Sequence, residues 1–83
     1  MSESVLIDVR GLKCPLPVLK TAKRMAPLAP GTLVSVLATD PMAAIDLPHF
    51  CKENGHRLIG TDRAGDLMRF EIEKGPGADR PSD

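Results

Sequence analysis

The chain has 83 residues, of which 42% are hydrophobic, and its 11 basic residues balance its 11 acidic ones. This length allows one domain with a modest core, because a domain of this size buries only about 60% of its unfolded surface. With zero net charge, no Trp or Tyr and only two Phe, it offers little for counterion release or base stacking. We therefore expect no direct binding of nucleic acid.

The amino-terminal segment lacks a basic leader, and its longest strongly apolar stretch is Val5-Leu6-Ile7. We therefore expect no signal peptide, no membrane span, no membrane partner and a cytoplasmic location. The two cysteines, Cys14 and Cys51, do not form a disulfide framework of the kind used by small secreted domains. Both are predicted to be free thiols in a reducing compartment.

Hydrophobic alternation and short apolar stretches predict four strands, at residues 5–9, 33–38, 56–61 and 68–72. The segment from Asp62 to Asp66 is predicted to be the hairpin link between the last two strands. Because the last strand alternates apolar and polar residues, we expect a sheet with one wet face and helices on the other face only.

The first helix is predicted from Pro15 to Met25, since apolar side chains recur at helical spacing on one side and basic ones on the other. Pro15 suits the first helical position because its backbone angle is already helical and it has no amide hydrogen to satisfy. Cys14 is then expected to be the cap of this helix.

A second helix is predicted to begin at Asp40 as cap, to bend or restart near Pro48 and to end near Asn54-Gly55. The order strand, helix, strand, helix, strand, strand predicts a two-layer α/β sandwich with a four-stranded mixed sheet and two helices on one face. Residues 1–75 are predicted to form a single domain, and residues 76–83 a disordered tail.

Cys14 is the candidate nucleophile of the chain. At a helix amino terminus, the helix dipole and the free amides of residues such as Leu16 and Val18 would favour the thiolate. Pro17 removes one amide, but together with Pro15 it stiffens the turn and holds the sulfur in place.

Basic residues are concentrated around this cysteine, since no Asp or Glu occurs between residues 10 and 24. We predict that this basic cluster lowers the thiol pKa of Cys14 and attracts an acidic or anionic partner. The alternative is an ordinary solvated helix face. The basic cluster comprises Arg10, Lys13, Lys20, Lys23 and Arg24.

The run from Asp8 to Pro17, which contains Gly11-Leu12-Lys13-Cys14-Pro15-Leu16-Pro17, resembles the Cys-Pro-x-Pro signature of the TusA family of small sulfur-carrier proteins, also called SirA-like proteins. A second block, Asp40-Pro41 followed by Asp46-Leu47-Pro48-His49-Phe50-Cys51, is similar to the family's Asp-Pro and Asp-Ile-Pro-x-Phe-Cys. The resemblance spans residues 5 to 75.

This resemblance implies that Cys14 takes a sulfane sulfur, as a persulfide, from a cysteine desulfurase or rhodanese-type donor and passes it to an acceptor protein. Lys13 and the basic residues of the first helix would stabilise the persulfide and orient the partners. Such stoichiometric transfer needs no cofactor, and we expect a monomer when the protein is free. The implied destinations are a tRNA wobble-uridine thiolation relay, sulfur oxidation or molybdenum-cofactor synthesis.

Other interpretations of Cys14 stay open. As a redox-sensing or regulatory module it would form a sulfenic acid or mixed disulfide without sulfur transfer, and as an inert buried cap it would be alkylated slowly. A thiol oxidoreductase is disfavoured, because the motif lacks a second cysteine three residues further on.

The remaining polar candidates are assigned structural roles. Cys51 is predicted to be a core thiol, and with His49 and His56 it matches no closed zinc pattern, so no metal site is expected. Both histidines are predicted to be surface or hairpin-packing residues. Asp8 and Asp40 are predicted to be turn or cap residues, with Asp8 able to oppose a low pKa at the nucleophile.

Overall fold

The computed structural model describes residues 4–76. The elements follow the predicted order, and residues 77–83 of the predicted tail lie outside the described part. The elements are β1 (Ser4–Asp8), α1 (Leu16–Met25), β2 (Leu33–Ala38), α2 (Ala43–Asn54), β3 (Arg57–Ala64) and β4 (Leu67–Glu73).

The four strands form one mixed sheet in the order β1-β2-β4-β3. Strands β1 and β2 are parallel and are connected through α1, whereas β4 runs antiparallel to both β2 and β3. The predicted α/β class and mixed four-stranded sheet are confirmed. Neither helix of residues 4–76 is long and apolar enough to cross a membrane.

The core lies between one face of the sheet and the two helices. Ile7, Val36 and Phe70 face one another across β1, β2 and β4 and are fully buried. Met25 of α1 and Leu47 of α2 belong to the same buried cluster. Full burial of side chains of this size contributes about 1.5–3 kcal/mol each relative to exposure, so this row of side chains fixes both helices on the sheet.

Both helices begin later than predicted. Helix α1 begins at Leu16, with Pro15 as its N-cap, so Cys14 lies just outside the helix. The reason is a preceding turn, in which the Leu16 amide donates to the carbonyl of Lys13 (2.8 Å).

Helix α2 begins at Ala43 after a turn started by Asp40, whose carboxylate accepts the Met42 amide (3.3 Å). The prediction was a bend or a restart near Pro48, and of these the restart is excluded, because one helix runs through Pro48. The buried neighbours Leu47 and Phe50 hold this segment on the sheet, and this packing outweighs the one backbone bond that a proline removes. The helix ends at Gly55 as predicted, with a positive φ of 75° that glycine adopts without strain.

Strand β3 is longer than predicted. Pairing continues to Ala64, which faces Leu67, so the hairpin turn is only Gly65-Asp66 instead of the whole segment 62–66. The end of β3 is polar and exposed, and ladder hydrogen bonds between backbones do not require the apolar alternation from which strands are predicted.

A buried lysine closes the carboxyl end of α1. Lys74 is only 5% exposed, and its ammonium donates to the carbonyls of Met25 (2.8 Å), Ala26 (3.2 Å) and Leu28 (2.6 Å). A cation here satisfies carbonyls left free by the helix end and faces the negative end of the helix dipole. The residue after β4 thereby ties the sheet to α1.

Candidate functional site

Cys14 is an exposed free thiol in the loop between β1 and α1. Its amide donates to the Oδ2 atom of Asp40 at 2.6 Å, and the amide of Gly11 donates to the Oγ1 atom of Thr39 at 2.9 Å. Both acceptors lie in the loop between β2 and α2. The backbone around the thiol is therefore fastened to the neighbouring loop at two points.

The sulfur itself faces a carboxylate. Cys14 Sγ lies 3.0 Å from Asp46 Oδ2 and donates a hydrogen bond to it. This hydrogen bond, followed by desolvation and by the negative charges of Asp46 and Asp40, raises the pKa of the Cys14 thiol above its ordinary value. The predicted lowering of this pKa is wrong, because the sulfur donates a hydrogen bond to the Asp46 carboxylate and no Lys or Arg of residues 4–76 lines the pocket around it.

The helix amino terminus also contributes less than predicted. The Leu16 amide already donates to Lys13, so it is not free to stabilise a thiolate. Pro17 occupies the second helical position and has no amide hydrogen.

The side chain of Arg10, in the turn after β1, is paired with Asp8 at the end of that strand. Its Nε and Nη2 atoms donate to the Asp8 carboxylate at 2.8 and 2.7 Å, and this contact lowers the pKa of Asp8 to about 2. Asp8 is thus paired with Arg10 instead of opposing ionisation of the cysteine. The guanidinium of Arg10 is thus occupied by Asp8, and Arg10 does not line the pocket that contains Cys14.

Three members of the basic cluster line a surface groove of about 610 Å³ on α1. We call it the basic groove; its lining residues are Leu12, Leu16, Leu19, Lys20, Lys23 and Arg24. Lys13 lines a different cleft, of about 230 Å³, together with Asp40. The basic cluster is therefore divided between two clefts that adjoin at Leu12, while Arg10 is paired with Asp8.

Cys14 lines its own pocket of about 250 Å³ between the helices, which we call the thiol pocket. Two carboxylates, Asp46 and Glu53, line it, and no Lys or Arg is among its lining residues in the described part of the chain. His49 Nε2 lies 3.2 Å from Glu53 Oε2. The lining residues are Cys14, Pro15, Val18, Asp46, His49, Phe50 and Glu53.

The sequence prediction missed Asp46 and His49 as neighbours of Cys14. A signal was present, because Asp46, His49 and Glu53 recur at intervals of three and four residues and so lie on one face of α2. Which element this face would meet depends on the packing of α2 against α1, which local spacing does not specify.

The other candidate residues, Cys51 and His56, are packed inside the fold and do not line the thiol pocket. Cys51 is buried, as predicted, and burial raises its pKa to about 11. His56 is buried with its ring 5.3 Å from that of Phe50, and its Nδ1 accepts the Gly75 amide. Within residues 4–76, no three His, Cys, Asp or Glu side chains are grouped so as to hold a metal ion.

The fold and the site define a small two-layer α/β protein with one accessible thiol between its helices. A family model described as Sulfurtransferase TusA matches residues 5–74, and the chain belongs to this family. The resemblance inferred from the two sequence blocks is confirmed.

Individual relatives support this family assignment. The chain is 43% identical over 73 residues to the sulfur carrier protein TusA of Pseudomonas aeruginosa strain UCBPP-PA14, with 88% of this chain and 92% of the relative covered. It is 37% identical over 75 residues to YrkF of Bacillus subtilis strain 168, covering 90% of this chain but only 40% of YrkF. The crystal structure of a SirA-like protein from Desulfitobacterium hafniense superposes with a TM-score of 0.75 at 25% identity, covering 86% of this chain and 97% of that one.

Proposed function

We propose that this protein carries sulfur as a persulfide on Cys14. In loading, Cys14 sulfur attacks the terminal sulfur of a donor persulfide and the donor's own cysteine sulfur leaves as a thiolate. The sum is Cys14–SH + R–S–SH → Cys14–S–SH + R–SH, in which sulfur moves without net oxidation. Unloading onto an acceptor thiol is the same exchange in reverse, so no cofactor is required.

The observation that carries this proposal is the exposure of Cys14 at a fixed position. Of the two cysteines, Cys14 is exposed and Cys51 is buried. The amide of Cys14 donates to the Asp40 carboxylate at 2.6 Å, which holds the backbone in place. A sulfur that must be reached by two different proteins has to be accessible, and a fixed position makes the approach reproducible.

The surface around Cys14 suits docking of protein partners, which membership of a sulfur-carrier family implies. Six large hydrophobic side chains in residues 4–76 are exposed, and four lie near the starts of α1 and α2, where Asp40 and Asp46 contact Cys14. These four are Leu16, Leu19, Met42 and Ile45. Apolar side chains of this kind form the buried centres of interfaces.

We propose a cysteine desulfurase or a rhodanese-type enzyme as the donor. Lys20, Lys23 and Arg24 in the basic groove, together with Lys13, would orient an acidic surface of the partner. The acceptor is a downstream protein of a sulfur-trafficking pathway, with tRNA 2-thiouridine synthesis as one destination. Two free thiols suit the reducing cytoplasm in which such donors work.

The test is intact-mass spectrometry after incubation with a cysteine desulfurase and cysteine, or with a rhodanese and thiosulfate. Wild type and Cys51→Ser should each gain one sulfur that reductant removes, and Cys14→Ser should gain none. If wild type gains no sulfur from either donor, the carrier proposal is wrong and reversible oxidation of Cys14 becomes the better explanation.

A further inference from the structure

The charged groups that face the Cys14 sulfur are acidic. Asp46 of α2 accepts the hydrogen bond from Sγ at 3.0 Å, and Asp40 holds the Cys14 amide with its carboxylate at 2.6 Å. Glu53 lines the same pocket and is 3.2 Å from His49. From the side of α1, the pocket is lined by Pro15 and Val18, which carry no charge.

Among residues 4–76, no Lys or Arg lines the thiol pocket, and Lys13 lines a different cleft together with Asp40. Arg10 is held by Asp8 through two hydrogen bonds, and Lys20 and Lys23 line the basic groove instead of the thiol pocket. A thiolate formed at Cys14 would lie beside the Asp46 carboxylate and lose the hydrogen bond that the thiol donates. Since the thiolate is the nucleophile, the contact with Asp46 restrains the reactivity of the free protein.

We propose that Asp46 is a specificity-determining residue: it holds Cys14 as a hydrogen-bonded thiol that reacts slowly with small electrophiles and oxidants, and leaves loading to a donor docked on this surface. Asp46 is partly exposed, and its neighbour Ile45 is 64% exposed. Asp46 also lines the thiol pocket, so a donor that docks over this surface and enters the pocket can bring a cationic group to the carboxylate and neutralise it. The part concerning the donor rests on the proposed function, but the restraint on Cys14 does not.

The first experiment measures alkylation of Cys14 by iodoacetamide across a pH series, using the full chain with Cys51→Ser so that a single thiol is observed. Asp46→Asn keeps the size of the side chain, removes its charge and can donate to a thiolate. We expect its pH–rate midpoint to move to lower pH and alkylation at neutral pH to become severalfold faster, because the gain in thiolate exceeds the loss in intrinsic nucleophilicity.

Asp62→Asn is the matched control. It makes the same chemical change on exposed strand β3, where Asp62 faces Arg69 in the ladder and does not line the thiol pocket. Its midpoint should coincide with that of wild type. A general loosening of the fold by Asp46→Asn would raise the rate without moving the midpoint, so coincident midpoints for wild type and Asp46→Asn overturn the proposal.

The second experiment compares two rates in wild type and Asp46→Asn: reaction with oxidised glutathione, and sulfur loading by a cysteine desulfurase. We expect the first to rise severalfold more than the second, which lowers selectivity. Equal changes in both rates contradict a role in specificity. If wild type takes up no sulfur from the donor, the proposed function fails, whereas the alkylation and glutathione rates still decide whether Asp46 restrains Cys14.

Discussion

The ammonium nitrogen of Lys74 lies 2.6 Å from the carbonyl oxygen of Leu28, beyond the last turn of α1, and two further carbonyls accept from the same group. Replacing Lys74 by Met keeps most of the aliphatic side chain but removes the ammonium donor from all three carbonyls, of which only that of Met25 keeps a second donor within residues 4–76, the Leu28 amide. We expect the free energy of unfolding to fall by about 2–3 kcal/mol, measured by urea denaturation.

Lys52→Met is the control for this substitution. Lys52 also lies in the last turn of a helix, α2, but it is exposed. Its substitution should change the free energy of unfolding by less than about 0.5 kcal/mol. Equal effects of the two substitutions would mean that the contacts of Lys74 contribute nothing specific.

The close approach of Gly75 to Gly55 predicts that Gly75→Ala is poorly tolerated. A Cβ atom at position 75 would lie 1.8 Å from the carbonyl oxygen of Gly55, so one backbone segment has to move. We expect a loss of about 2–3 kcal/mol in the free energy of unfolding. Gly60→Ala, where the added Cβ meets nothing within 4 Å, should cost clearly less in the same thermal or urea melt.

His56 predicts a stability that falls with acidification. Burial, and then the charge of Lys74, lower the pKa of His56 below 6.5, and its Nδ1 accepts the Gly75 amide only when unprotonated. The unfolded chain binds this proton more readily than the folded protein does. The stabilisation by neutral His56 is therefore complete above about pH 6.5, and it is lost as the pH falls through the pKa of His56 in the folded protein.

The measurement is the midpoint of thermal unfolding between about pH 8 and pH 5 for wild type and His56→Gln. The midpoint of wild type should fall more steeply than that of the variant in the acid half of this range, whereas above neutral pH the two slopes should agree. Parallel curves throughout would show that His56 is not the titrating group.

A substitution at Leu19 should affect docking of the donor without changing the reactivity of Cys14. The side chain of Leu19 is 57% exposed in the basic groove and does not line the thiol pocket. If the donor docks there, Leu19→Glu should slow sulfur loading by a cysteine desulfurase about tenfold, the effect of losing about 1.4 kcal/mol of interface contact. Alkylation of Cys14 by iodoacetamide should keep its wild-type rate.

The control is Ile59→Glu, which places the same charge at an exposed position, 52% accessible, in strand β3. Loading and alkylation should both match wild type. If both variants load slowly, the added negative charge is the cause and not the loss of Leu19. If Leu19→Glu loads at the wild-type rate, the donor does not dock on the basic groove.

Much of the fold follows from local sequence patterns. Met68, Phe70 and Ile72 alternate with polar residues and are all buried in β4, because the side-chain period of a strand is two. Gly55 ends α2 where the sequence places a glycine after a helical stretch. Local patterns were insufficient where tertiary packing determines the secondary structure. Pro48 is an example, because it lies inside a continuous helix.

The site was only partly predictable. A candidate cysteine nucleophile between a strand and a helix was predicted from residues 8–17, but its exposure and the sign of its electrostatic surroundings come from the structure. The contact that decides the pKa joins Cys14 to a residue 32 positions away. A basic stretch in sequence lies on several faces of a helix and its loop, so its charges do not add at one sulfur.

The two hydrogen bonds that fasten the Cys14 loop to the β2–α2 loop also constrain how cargo could be delivered. The Gly11 amide is held by Thr39 and the Cys14 amide by Asp40, so the sulfur lies in a loop anchored to the fold at two points and not at the end of a long flexible segment. In a sulfur carrier built this way, reach comes from diffusion of the whole molecule. Donor and acceptor must then take turns on the same face, and each hand-over requires the previous partner to leave.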